Sequence, residues 1–447
     1  MSFVTDKQTL ADLNILGKYT PNSIFSLFNE VVTFGGEKLL GKSFQEPLDN
    51  AEAINRKSRL FCFFQKGNHQ FSINREGFSI AEQYLSHADF SNPVTAWANM
   101  LRIYLLYRIG LDKEYNMVRN GLKASVSLLK QLRDLLNGIE HKAKEVGVEN
   151  LYADNCQLFR TIINDKRLEW IETITPEKDC SLIKLAKYDH VLRYSMKDEM
   201  SQVLDIIYDL DMNIAVANVA EKRGFCYAHA EAKEKNHLLF KNVFHPAIKD
   251  AVGNDIQFQG NMNVVFLTGA NMAGKSTLMK SIGVATYLAH MGFPVPASEM
   301  RFSVKEGMYT SINVPDNLEM GYSHFYAEVL RVKTVAKAVA SDKYLLIIFD
   351  ELFKGTNVKD AYDATVAITE AFSKKNRGAF IVSTHIMEAG ETLKERCDNM
   401  QFLYLPTVMK GNVPVYPYKL QEGITDDRHG MIIINNEKIL EIIKGEE

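Results

Sequence analysis

The sequence predicts an α/β half, built on a mainly parallel sheet with flanking helices, preceded by an all-α half. Three observations carry this. From about residue 21 to 219 helix formers dominate, and the only prolines after Pro21 are Pro47, Pro93 and Pro176. After Gly224 the short runs FCYAHA, NVVFLT, YLLIIF, AFIVST and MQFLYL are separated by helix-length segments. YLLIIF and AFIVST are continuously apolar rather than alternating, as strands are when helices cover both faces of a sheet. The change of pattern near residues 223–225 predicts units of 1–224 and 225–447.

Within the first half, Leu122, Val126, Leu129, Leu132, Leu136, Ile139, Ala143 and Val146 recur every three or four residues. That spacing draws one apolar stripe along a long helix. A second long helix is expected over about 182–220, with shorter ones near 23–42, 48–64 and 94–110. No repeat at a fixed period appears.

Composition narrows the function classes. Of 447 residues 46% are hydrophobic and 24% charged, and the formal net charge is -3. No overall positive field marks the chain for nucleic acid or membrane, so any polyanion site must be a local patch. The five cysteines are scattered, with no Cys-x-x-Cys pair and no histidine cluster at metal-ligand spacing, which reads as reduced thiols in the cytoplasm. The start, MSFVTDKQTLADLN, has no basic region followed by an apolar run, so no secretory signal is expected. Residues 281–298 carry no formal charge, but they include His290, Gly292, Pro294 and Pro296, and read as a buried helix and turn rather than a membrane span.

The chemistry is concentrated in FLTGANMAGKSTLMKSIG, residues 266–283. Gly269, four residues, then Gly274, Lys275 and Ser276 is the spacing of a loop that cradles phosphate, placed between an apolar strand and a helix. Gly269 and Gly274 let the backbone wrap closely, and Ala270, Asn271, Met272, Ala273 and Thr277 complete the cradle. Lys275 is expected to reach the β and γ phosphates and the Ser276 hydroxyl to ligate Mg2+. A second apolar strand ends in Asp350 and Glu351: the first is expected to hold Mg2+, the second to act as general base toward water. His385, after AFIVST, stands where it would sense the γ phosphate.

These residues carry a resemblance. TGANMAGKST, with Asn271 and Met272, is similar to the phosphate loop of the MutS family of DNA mismatch-repair ATPases, relatives of the ABC-type ATPases. FDELFKGTN followed by Asp360 resembles that family's acidic segment, and STHIMEAG its Thr-His switch. The resemblance implies an ABC-type P-loop ATPase domain using ATP and Mg2+, preceded by an all-α lever domain. It further implies a homodimer through the ATPase domains. MGYSHFYAEVLRV resembles the segment that reaches the partner's nucleotide, with Ser323 acting in trans beside Phe325 and Glu328. Asn254 in VGND and Tyr418 in YKLQEG fall where the family contacts adenine.

Upstream, IFSLFNEVVTFGGEKLLGKSFQEPLDNAEAINRKSRL resembles the start of the family's core domain, and DMNIAVANVAEKRGFCYAHA its lever helix. The departures set the expected function. There is no room before Leu10 for the domain that reads mismatches, the clamp is expected to be reduced, and DRHG at 427–430 stands where a Ser-Tyr-Gly segment is expected. The expectation is therefore an ATP-gated dimer that binds duplex or branched DNA without direct mismatch reading. The alternative is an ATP-switched module acting on a repair-protein partner. Seven Lys or Arg against four Asp or Glu over 113–145, and Arg56, Lys57 and Arg59, are the local basic runs available for phosphates. No membrane partner is expected.

Overall fold

The computed structural model describes residues 3–17, 22–86, 93–173, 181–312, 324–411, 413–425, 442–443 and 445. The chain forms two compact units that interleave in sequence: Met1–Leu27, Ser43–Ser58 and Ala220–Glu447 form one, Phe28–Lys42 and Arg59–Val219 the other. The expected division at 224/225 thus needs correction at its amino-terminal side, where two early segments join the α/β unit.

The helical unit is built around Lys113–Val146, a helix of 34 residues closed by Gly147 at φ 68, whose N–H returns to the last-turn carbonyls. Its predicted stripe from Leu122 to Ala143 is buried, whereas Val146 at the end is exposed. Gly121 lets Tyr84 of the helix Arg75–Ser86 press against it, since an added Cβ would lie 2.4 Å from the ring.

Two expected helices are broken, each by a buried carboxylate. The one expected over 182–220 becomes Leu182–His190, a widened π turn at Val191–Ser195, and Lys197–Arg223. In that turn Arg193 is buried, its Nε donating to Asp189 Oδ1 at 2.9 Å while Tyr84 Oη donates to the same atom at 2.7 Å. The one expected near 23–42 becomes Ile24–Phe28 and Phe34–Gln45. Asp211 takes the N–H groups of Val32 and Thr33 and the Thr33 hydroxyl, so these donors serve a cap rather than a continuous helix.

The α/β unit holds a six-stranded sheet in the order Gln421–Glu422, Met400–Leu405, Val264–Gly269, Gly378–Ser383, Leu345–Asp350, Gly307–Ser311. All neighbours run parallel except the edge pair of Gln421–Glu422 with Met400–Leu405. NVVFLT, YLLIIF, AFIVST and MQFLYL therefore lie where expected. The central strands are fully buried, as their uninterrupted apolar character demands. The run FCYAHA divides into Cys226–Tyr227 and His229–Glu231. The latter joins a four-stranded sheet with Glu299–Ser303, Leu238–Val243 and Asn254–Phe258.

The uncharged stretch 281–298 continues the buried helix Lys275–His290 into a turn at Gly292, φ 70. Among the described residues no helix is long and apolar enough to cross a membrane. The helix Lys7–Asp12 is fixed from afar: Thr310 N donates to Thr9 Oγ1 at 3.0 Å, and Thr310 Oγ1 and Ile312 N donate to Asp12 Oδ2 at 2.7 and 2.9 Å. Buried Arg331 pairs with Asp6 and donates from Nε to the Thr310 carbonyl at 3.1 Å.

Candidate active site

Register brings the working residues together. Ser383 pairs with both Leu267 and Asp350 across parallel strands, so the loops after these strands emerge on one carboxyl edge of the sheet. That edge is where open parallel sheets hold ligands.

The loop after Val264–Gly269 depends on its glycines. Gly269 sits at φ 144 with Leu405 O only 2.9 Å from where a Cβ would stand. Gly274, at φ 100, caps the helix Lys275–His290, and a Cβ added there would stand 3.1 Å from the Tyr418 ring. The N–H groups of the helix's first turn, with the helix dipole, favour an anion at this point. Lys275 is buried, and Nζ donates to the carbonyls of Gly269 at 2.8 Å and Ala270 at 3.2 Å. Burial draws its pKa below the usual lysine value, against the pull of the Glu351 and Asp350 charges.

The Ser276 hydroxyl donates to Asp350 Oδ2, and Ser383 Oγ donates to Oδ1 at 2.9 Å. A hydroxyl and a carboxylate are hard oxygen donors, the set that Mg2+ takes together with phosphate oxygens and water. Among the described residues no group of three or more His, Cys, Asp or Glu could hold a metal by itself. The site thus fits a cation shared with a phosphate ligand rather than an all-protein cage.

Glu351 follows at φ 54, its N–H bonded to Ser383 O at 2.9 Å. Its Oε2 lies 2.8 Å from Lys354 Nζ, and His385 Nε2 closes on Oε1. Burial opposes ionisation, but the contacts with His385 and Lys354 outweigh it and hold the carboxyl down at about 2. The next residues, Leu352 and Phe353, are buried.

A cavity of about 590 Å3 opens over the loop. The whole run Ala270–Thr277 lines it, with Glu351, Leu405, Tyr418 and, opposite, Val243, His245, Ile248, Val252 and Asn254. Asp350 stands behind Ser276 and His385 beside Glu351, each one contact away from the lining. Asn254, expected to contact adenine, lines the cavity and also holds Tyr418. Its Nδ2 donates to Tyr418 O at 2.9 Å and its Oδ1 accepts from Leu420 N at 2.7 Å, so this buried amide seats Tyr418. Tyr418 itself is half exposed over Gly274. Ser323 and residues 427–430 lie outside the described residues. Phe325 and Glu328 meet the acidic turn: the Phe325 and Phe353 rings are 6.0 Å apart, and Gly355 N donates to Glu328 Oε2 at 3.4 Å.

Sequence reasoning passed over Lys354, Ser383 and His245. Ser383 carries a signal as a hydroxyl at the end of the apolar run AFIVST, beside Thr384 and His385. Lys354 carries a signal only once Glu351 is known to bend back toward it.

Fold and site together define an α/β domain with a glycine-rich loop and an acidic turn converging on one edge of a mainly parallel sheet. Comparison with known proteins gives a likeness to this arrangement. Residues 265–444 match MutS domain V. The chain is 28% identical over 335 residues to the DNA mismatch repair protein MutS of Bacillus cytotoxicus, covering 72% of this chain and 35% of that protein. It is 27% identical over 356 residues to those of Bacillus cereus and Bacillus thuringiensis, covering 73% of this chain and 39% of each relative. Residues 265–444 are thus similar to MutS domain V, and nearly three quarters of the chain is similar to MutS proteins. It spans little more than a third of the length of the curated relatives it matches.

Proposed function

We propose that the chain is a MutS-like, Mg2+-dependent ATPase whose ABC-type P-loop domains pair as an ATP-gated dimer, holding duplex or branched DNA without reading mismatches directly. The observation that carries this is the convergence of Lys275, Ser276 and Glu351 on one cavity, with Asp350 hydrogen-bonded behind Ser276. Phosphoryl transfer to water asks for positioning and charge rather than covalent chemistry, and these residues supply both. Lys275 exchanges the carbonyls of Gly269 and Ala270 for the β and γ phosphates. Ser276 and Asp350 hold Mg2+, which neutralises the triphosphate charge. Glu351 orients water and accepts its proton, and His385 registers the γ phosphate beside it. Tyr418, seated by Asn254, stacks on the base.

The resemblance of the Ser323 segment supports a composite site, in which Ser323 reaches the partner's nucleotide in trans. ATP then joins two heads and hydrolysis releases them, biasing the helical units as levers. The exposed lysines and arginines of the helix Lys113–Val146 are the candidate phosphate contacts, which would make DNA binding salt-dependent.

The test is Lys275→Ala. Titration with a fluorescent ATP analogue is expected to show affinity weakened by about a hundredfold, the loss of a buried charge-assisted contact to phosphate. Unchanged affinity would remove this lysine, and with it the proposed site. Gel shifts on linear and four-way DNA over a salt series separate a DNA-holding dimer from a module that acts only on a repair-protein partner.

A further inference from the structure

The acidic turn carries a charge that the reaction proposed above does not use. Lys354 Nζ lies 2.8 Å from Glu351 Oε2 while His385 Nε2 closes on Oε1, so the protein itself engages both oxygens of this carboxylate. A general base must offer an oxygen within hydrogen-bond reach of the proton it takes. In this arrangement each oxygen already faces a side-chain nitrogen, which holds the carboxylate in one pose.

A surface pair three residues apart is ordinarily a weak decoration. Two observations set this one apart. Glu351 is four-fifths buried, and the residues on both sides of the lysine are packed against other parts of the unit. Phe353, at φ 64, is buried on one side of Lys354. On the other side Gly355 touches the first turn of the helix His324–Ala340, where an added Cβ would lie 2.6 Å from Phe325 N and 2.9 Å from its Cα. The lysine is thus pinned from both neighbours while its own side chain stays nearly half exposed, able to leave without opening the core.

We propose that Lys354 is a positioning residue that restrains Glu351 in an unproductive pose, so that breaking this one ion pair is a step in activating the site. The inference rests on reading Glu351 as the base. The contact and its consequence are tested separately on the full chain. A water-soluble carbodiimide, added without nucleotide or Mg2+, is expected to condense Glu351 with Lys354 into an isopeptide, the carbodiimide taking up the water as its urea. Peptide mass spectrometry finds the cross-link, and Glu351→Gln is the blank. Its absence would overturn the restraint whatever the protein does with ATP.

Steady-state kinetics then read the consequence. Lys354→Met is expected to raise kcat about fivefold with KM unchanged, and Lys354→Arg to return it to the starting value. A cross-link accompanied by equal or lower kcat in Lys354→Met would overturn the restraint alone. A cross-link with no ATP turnover in either form would instead sink the ATPase reading and leave only an ion pair.

Discussion

The loop after Val264–Gly269 and the turn after Leu345–Asp350 leave the same edge of one sheet, a single strand apart, yet they bend by different means. The first turns largely on glycine, at φ 144 and 100, with Met272 at φ 71 between them and its side chain in solvent. The second uses Glu351 at φ 54 and Phe353 at φ 64, residues with a Cβ in the left-handed region. Such a conformation costs about 1–2 kcal/mol per residue. The difference follows from which atoms do the work. On the proposed function the backbone N–H groups of the first loop are the ligands, so a Cβ at its glycines only obstructs. In the second, on the same proposal, the side chain of residue 351 is the working group, so the strain stays and is offset by burying Leu352 and Phe353 in the core beneath.

The contrast can be broken at three points, from the largest expected effect to the smallest. Glu351→Gln keeps the turn and removes the base. Turnover is expected to fall by about 10^2 to 10^4 with nucleotide affinity retained and the paired form accumulating under Mg-ATP, read by single-turnover assays and sedimentation. Hydrolysis at the original rate would show that the strained residue is not the base. Phe353→Ala attacks the anchor. Loss of a buried aromatic costs about 3–5 kcal/mol, to be read from denaturant unfolding of the α/β unit. A cost near zero would mean that the turn holds its shape unaided. Gly274→Ala attacks the other strategy. The left-handed strain of about 1–2 kcal/mol and the crowding of Tyr418 are expected to weaken nucleotide binding about tenfold and to lower the melting temperature by only a few degrees. Equal binding would mean that the glycine is a convenience rather than a condition.

These local devices are also what the sequence displays. Strand, glycine spacing, lysine and acid pair all lie within short windows, and the structure puts Lys275, Ser276, Asp350 and Glu351 together. What the sequence conceals is set by partners far along the chain. The helix expected over 23–42 breaks because Asp211, 178 residues past Thr33, claims its N–H groups. The helix expected over 182–220 widens where Arg193 and Asp189 meet Tyr84. Asn254 bonds Tyr418 and Leu420, 164 and 166 residues on, through both ends of its amide. The early segments 3–17 and 43–58 have helical patterns of their own, and nothing in them announces that they belong with residues 220 onward.

That last attachment has a consequence for how the protein is made. Thr9 waits for Thr310, 301 residues later, and Asp6 for Arg331, 325 residues later. At roughly 5–20 residues per second a ribosome takes about 15–65 s to deliver those mates. For most of its synthesis the nascent chain therefore carries Lys7–Asp12, too short to be stable alone, with its docking groove still unwritten. Removing the opening residues would strand the Thr310 hydroxyl and the Ile312 N–H, which donate to Asp12, and bare Arg331 in the finished product, so a truncated chain is expected to mature poorly even though its glycine-rich loop is intact.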